Sequence, residues 1–236
     1  MDFHFINNGL PADASFSEDD VQNIYIPLLR HLAELQEQNQ RRILVMLAAP
    51  PGAGKSTLAA FLAELSREKG MKEITVIGMD GFHRYQDYLM SHTTLRDGKK
   101  IPLVKIKGAP ETFDLPKLTK FIRRVASGEI VKWPAYDRSL HNPVEDAITV
   151  SGDIVLLEGN YLLLDLPGWD DLSAYADYTI FVSAGEDLLR DRLVARQVQS
   201  GKSHDDAVSF VENSDLVNAR LALEHSKKPD LMLSAV

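Results

Sequence analysis

One stretch limits what this chain can fold into more than any other: Ala48-Ala49-Pro50-Pro51-Gly52-Ala53-Gly54-Lys55-Ser56-Thr57. The run Ile43 to Leu47 before it is wholly apolar, as a strand buried on both faces requires. Thr57 to Arg67 after it carries Leu58, Phe61, Leu62 and Leu65 at helical spacing. Strand, glycine-rich loop and helix in that order make a cradle for phosphate, because backbone N–H groups converge at a helix N-terminus whose dipole favours anions. Pro51, Gly52, Ala53, Gly54, Lys55, Ser56 and Thr57 are therefore the candidate nucleotide-binding residues. Lys55 would reach the outer phosphates and the Ser56 hydroxyl would hold Mg²⁺. The strict pattern has glycine five positions before Gly54, where this chain has Ala49; the looser form admits alanine.

The remaining composition narrows the field around that loop. A chain of 236 residues with 44% hydrophobic content suffices for one α/β domain with a substantial core. There is no cysteine, which excludes disulfides, cysteine–zinc sites and a cysteine nucleophile. No apolar run approaches the length that crosses a bilayer and no leader pattern follows Met1, so the expectation is a cytoplasmic protein that binds no membrane. The net charge of −8 argues against a broad nucleic-acid surface.

In chain order, residues 1–16 show no clear period and read as an irregular lead-in. Ser17 reads as a helix N-cap ahead of Glu18, Asp19 and Asp20, followed by Val21, Ile24, Leu28, Leu32 and Leu35 on one face, with Pro27 as a point of kinking. These first 41 residues form a helical extension ahead of a core at 42–236. After the loop's helix, Ile74 to Ile77 is a second strand, and Asp80 at its carboxyl end falls at the rim where open α/β sheets bind ligands. The polar, locally basic stretch from Tyr85 to Pro110 reads as a mobile or inserted loop. Asp114 opens a helix carrying Leu118, Phe121, Ile122 and Val125, and suits an N-cap and a ligand contact equally. Ala135 to His141 reads as a loop of hydrogen-bonding side chains. Ala147 to Val150 is a strand, and Ile154 to Gly159 is a buried strand ending in Glu158, an acid placed to organise Mg²⁺. Tyr178 to Val182 is the next strand. Two charged helices, Glu186 to Gln199 and Asp205 to Glu224, flank a break at Gly201 and read as a lid over about 186–225. Arg192 and Arg196, four apart, share a face of that lid. A short last strand lies at 229–233.

The ordered series AAPPGAGKST, MDGFHR, PETFD, PAYDRSLH, VLLEGNYLLL and EDLLRDRLVARQ resembles the uridine kinase, phosphoribulokinase and bacterial pantothenate kinase group of P-loop kinases, from about Arg42 to Leu233. The resemblance implies an α/β, three-layer P-loop fold with a mainly parallel sheet and a helical lid, in a single kinase domain. It also implies ATP and Mg²⁺ as cofactors and a small-molecule acceptor as partner, with room for a homo-oligomer. It places the general base on Asp80, acceptor contacts on Tyr136, His141 and Asp114, the strand-closing acid on Glu158 and the lid arginines on Arg192 and Arg196. The expected chemistry is transfer of the γ-phosphoryl group of ATP to a hydroxyl of a nucleoside, sugar or pantothenate-like alcohol. The alternative from a different class is a nucleotide-dependent switch with slow hydrolysis, since a P-loop guarantees nucleotide binding and not transfer; no Asn-Lys-x-Asp guanine-reading motif is present.

Overall fold

The strand Ile43–Ala48 is buried along its whole length, and its side chains divide between two cores. Ile43, Val45 and Leu47 join a cluster on one face, while Leu44, Met46 and Ala48 join a second cluster on the other. Alternating side chains with helices on both faces are what a continuous apolar run needs in order to leave water. In the computed structural model, which describes residues 1–7, 10–96 and 98–235, this strand is β3 and lies at the centre of a five-stranded sheet. Its neighbours are β9 (Ile154–Gly159) and β10 (Tyr178–Ser183); β4 (Ile74–Gly78) lies outside β9, and β11 (Leu231–Ser234) outside β10. Every pairing is parallel. The strands therefore all end at one rim.

On the first face pack the P-loop helix α2 (Lys55–Glu68) and the N-terminal helix α1 (Ile26–Asn39), with Leu32, Phe61 and Leu62 essentially inaccessible. The Ser17 hydroxyl accepts the Asp20 N–H at 3.0 Å, as the cap expectation required. Pro27 is accommodated by a wide turn: the Ile26 N–H bonds to the Val21 carbonyl five residues back, in a π segment over Val21–Tyr25. A wider turn relieves the clash that a proline ring makes with the preceding turn. The other face is covered by α4 (Leu115–Ala126) and the hairpin of β7 (Val131–Asp137) and β8 (Asn142–Val150), with Trp133 fully buried.

Several sequence expectations need correction. Residues 1–16 are not irregular: β1 (Asp2–Asn7) and β2 (Leu10–Ser15) form an antiparallel hairpin. Phe3 and Phe16 both pack on Phe61 of α2, at 5.5 and 3.8 Å between ring centroids. Two short strands of mixed composition carry no period strong enough to register. The stretch 85–110 is an ordered insert of α3 (Gln86–Ser91), β5 (Thr93–Arg96), β6 (Lys99–Pro102) and a 3₁₀ turn at Leu103–Ile106, folded on its own small core of Leu89, Leu103, Ile106 and Ala109. Ala135 to Asp137 belong to strand β7, and only the tip 138–141 is a turn.

The two expected C-terminal helices are α5 (Glu186–Gln199) and a longer segment made of α6 (His204–Phe210), a π turn at Val211–Asp215 and α7 (Leu216–Glu224). Leu189, Leu193, Val211 and Leu216 are completely buried in the main core, so α5 and α7 are seated on the sheet. Arg190 bonds Glu212 at 2.7 Å and Arg220 bonds Glu186 at 2.6 Å, tying the two helices together. Among the described residues, no helix is long and apolar enough to cross a membrane.

Candidate active site

The site is built at the carboxyl rim of the sheet. Between β3 and α2 the chain turns through Gly52 and Gly54 with φ of 88° and 87°, left-handed backbone that only glycine adopts without strain. Gly54 caps α2, and Arg192 of α5 approaches it to 4.0 Å from where a Cβ would stand. The departure from the strict motif has a simple explanation: Ala49 is wholly buried in the first core cluster, where its methyl group adds apolar packing.

Parallel register then brings the acid of β9 to the loop. Glu158 lies abreast of Leu47 on β3 and Gly78 on β4, at the ends of three adjacent strands. The Ser56 hydroxyl donates to Glu158 Oε1 at 2.9 Å, and Lys55 Nζ stands 3.8 Å from Oε2. Burial raises the Glu158 pKa, against the opposing pull of Lys55 and the Ser56 hydrogen bond. A hydroxyl beside a carboxylate is a donor set suited to Mg²⁺, which binds through one or two protein oxygens and fills its other positions with phosphate oxygens and water. No group of three His, Cys, Asp or Glu able to hold a metal occurs among the described residues.

Asp80 follows β4 on a 3₁₀ turn, Met79–Phe82. Burial opposes its ionisation, but the charges of His83, Lys55, Arg138 and Arg196 outweigh that and hold its pKa below the ordinary value. The His83 pKa is itself lowered to about 4, above all by burial and against the pull of Asp80. Two neighbouring carboxylates are thus driven apart, Glu158 upward and Asp80 downward, which is how acid and base roles separate within one site.

On the far side of Asp80 is a polar and aromatic wall. His83 Nε2 lies 4.0 Å from Asp80 Oδ1, and the ring stacks on Phe113 at 3.9 Å. The backbone around His83 pairs with the strand-like 112–114: the Arg84 N–H bonds the Thr112 carbonyl and the Asp114 N–H bonds the Phe82 carbonyl, both at 2.8 Å. Tyr136 meets the His83 ring edge to face at 5.2 Å, and burial with the charge of Asp80 pushes its hydroxyl up to about 12.

The remaining expected residues sit as follows. Arg196 is electrostatically coupled to Asp80 and pairs with Asp215 at 3.7 Å. Asp114 is committed on both oxygens: Oδ1 accepts the Lys117 N–H at 3.2 Å as a helix cap, and Oδ2 accepts from Arg84 at 2.8 Å. His141 is exposed at the hairpin tip with φ 53°, and the group it turns toward the insert is its carbonyl, which accepts from Lys107 Nζ at 3.0 Å. Asp80, Lys55, Ser56, Glu158, Arg192, Arg196 and Tyr136 therefore gather at one rim, whereas the side chains of Asp114 and His141 are engaged elsewhere or point to solvent. Sequence reasoning gave no role to His83, Lys107 or Arg138, which the structure brings near Asp80 or Tyr136. His83 and Arg138 lie inside quoted motifs, but nothing in the spacing marks them; Lys107 lies in the insert whose order was not legible.

Comparison with known proteins places this geometry. The Escherichia coli K12 protein YggC, which is uncharacterized, is 40% identical over 228 residues, covering 96% of this chain and 92% of its own. The pantothenate kinase of Yersinia pestis is 32% identical over 214 residues, covering 80% of this chain and 64% of the enzyme. A solved structure from Silicibacter sp. TM1040, described as a "putative fructose transport system kinase", superposes with a TM-score of 0.73 at 34% identity, over 85% of this chain and 98% of that one. The family model "Phosphoribulokinase / Uridine kinase family" matches residues 44–215, from near the start of β3 through the loop, both carboxylates, Arg192 and Arg196 to Asp215, and the chain belongs to that family of P-loop kinases.

Proposed function

We propose that this protein is an ATP-dependent kinase that transfers the γ-phosphoryl group to a hydroxyl of a small metabolite. The observation that carries the reading is Asp80: a carboxylate held in its ionised form, partly accessible at the same rim as Lys55 and the Ser56–Glu158 pair. A carboxylate so placed can take the proton of an attacking hydroxyl.

In the proposed reaction the acceptor oxygen forms a bond to the γ-phosphorus, the bond from that phosphorus to the β–γ bridging oxygen breaks, and ADP leaves. The acceptor's hydroxyl proton passes to an Asp80 oxygen. Because the transition state spreads negative charge over the moving group, the chain's task is positioning and charge neutralisation. Backbone N–H groups from Gly52 to Ser56 and the Lys55 ammonium hold the β and γ phosphates. Arg192, beside Gly54, and Arg196, near Asp80, balance charge that develops during transfer. Mg²⁺, when bound by Ser56 and Glu158, neutralises phosphate charge and fixes the phosphate oxygens.

The test is ADP release against a panel of nucleosides, sugars, sugar phosphates and hydroxy acids. A kinase releases ADP in proportion to an acceptor, whereas a nucleotide switch hydrolyses slowly with or without one. With a productive acceptor, Asp80→Asn is expected to lower turnover by about 10²–10⁴-fold while ATP binding persists. Unchanged turnover in that variant would remove Asp80 from the role of base.

A further inference from the structure

Two cations beyond Asp80 have no carboxylate in direct contact among the described residues. Most basic side chains nearby are paired: Arg84 with Asp114, Arg96 with Glu111, Lys117 with Glu145. Lys107 and Arg138 make no ion pair among the described residues. Lys107, half-buried where the insert meets the wall, donates to two neutral acceptors, Gln86 Oε1 at 2.8 Å and the His141 carbonyl at 3.0 Å, and its ammonium lies 5.3 Å from the centre of the Tyr136 ring. Arg138 follows β7 at the hairpin tip, and its charge acts on both Asp80 and Glu158. Asp80 and Glu158 feel the Arg138 charge, but no carboxylate among the described residues is within ion-pair contact of either cation. A partly desolvated cation without an anion is unfavourable, and a bound anion removes that penalty.

Two buried polar atoms, His83 Nδ1 in this wall and Asn160 Oδ1 just past the end of β9, have no hydrogen-bond partner among the described residues; the His83 side chain is 10% accessible and Asn160 9%. Asn160 directly follows Gly159, where an added Cβ would meet the Met79 side chain, next in sequence to Asp80, at 2.6 Å. Buried polar groups are normally satisfied, and these two suit hydroxyl groups, which both donate and accept. A flat nucleobase is a poorer fit: one face of His83 is covered by Phe113, and Lys107 stands over the Tyr136 ring.

Resting on the kinase reading of this site, we infer that the acceptor is a small polyhydroxylated molecule that bears its own anionic group, held by Lys107 and Arg138 while His83 and Asn160 bind its hydroxyls. A carboxylate and a phosphate ester share this chemistry.

The experiment uses the full chain with ADP on the P-loop, so that an added anion cannot occupy that site. Calorimetric titration compares matched sets: glycerol, glycerate and glycerol 3-phosphate; glucose, gluconate and glucose 6-phosphate. In at least one set an anionic member is expected to bind about tenfold or more tighter than its neutral counterpart, and the carboxylate and phosphate arms tell which anion is taken. Lys107→Gln and Arg138→Gln are each expected to weaken the anionic ligand by about 10–100-fold and close the gap to the neutral one. Arg138 holds no structural hydrogen bond, so its variant keeps the test valid if Lys107→Gln loosens the insert, which a melting curve reveals. Neutral members binding as well as anionic ones, or no member binding, would overturn the inference, as would a preference that survives both substitutions. Anionic binding that the substitutions weaken, with no ADP released on adding ATP, would instead refute the kinase reading and leave the anion site standing.

Discussion

Gly81 offers a direct test of how the two halves of the site are joined. It follows Asp80, and its backbone is not in the left-handed region, so alanine can adopt the same conformation there. What alanine cannot do is fit. Its Cβ would stand 2.1 Å from the Pro134 carbonyl oxygen, 2.6 Å from that carbonyl carbon and 3.1 Å from the Ala135 nitrogen. All three are backbone atoms of β7, at the register irregularity between Trp133 and Ala135, so no side-chain rotation relieves the contact. To reach even a close 3.0 Å, the turn carrying Asp80 and the strand carrying Tyr136 must part by about 0.9 Å. Overpacking of this kind destabilises by about 1–3 kcal/mol, and in a chain of this size each kcal/mol lowers the melting midpoint by about 2–4 °C. A displacement near 1 Å between base and acceptor is expected to cut turnover by about 10²-fold. Nucleotide affinity should persist, because the P-loop lies on a different strand. The assays are thermal melting, acceptor-dependent ADP release, and the fluorescence of Trp133, whose Nε1 donates to the Gly78 carbonyl at 2.9 Å and so reports on this junction. A Gly81→Ala protein with the parental melting midpoint and turnover would refute the claim that close approach at Gly81 sets the spacing of base and acceptor.

Three other outcomes are expected. Ser56→Ala deletes the donor to Glu158 and one proposed oxygen for Mg²⁺, so the Mg²⁺ concentration needed for half-maximal ATP binding should rise about tenfold or more; an unchanged requirement would place the metal elsewhere. His83 is buried as the neutral form with a pKa of about 4 against 6.5 when free, so between those values the unfolded chain takes up a proton that the folded chain refuses. Its share of stability is intact above pH 6.5 and falls as the pH drops through that window, by at most about 3 kcal/mol. His83→Gln should therefore flatten the melting midpoint between pH 7.5 and 4.5 relative to the parent, and an equal slope in both proteins would contradict it. Gly185 caps α5 with φ −66° and ψ 145° but supplies no side-chain acceptor, and a Cβ there meets nothing within 4 Å. Gly185→Ser should add a few tenths of a kcal/mol, read as a small rise in midpoint, and a fall would mean that the serine hydroxyl does not reach the open N–H groups.

What the sequence by itself determined is the central sheet, the loop and the rim on which Lys55, Ser56, Glu158 and Asp80 stand. Strands buried on both faces must be apolar along their length, so 43–47 and 154–157 announced themselves and 178–182 read as a strand between them and the C-terminal helices, and the loop between a strand and a helix pinned Lys55 and Ser56 to one end of the sheet. Glu158 and Asp80 were legible because an acid at the end of such a strand has few other places to be. The tertiary structure alone decided the N-terminal hairpin on α2 and the wall beyond Asp80. Their elements are short and antiparallel: the 1–16 hairpin, the 86–106 insert and the β7–β8 hairpin hold shape by packing on other segments, which local periodicity does not record. The same reason governs individual residues. Asp114 caps α4 through the Lys117 N–H and pairs with Arg84 through its other oxygen. His141 faces solvent because the turn at 138–141 carries it away from β7. His83 and Lys107 belong to the wall because chain segments 24 residues apart meet across Tyr136, a proximity written in no spacing and created only when the sheet is built.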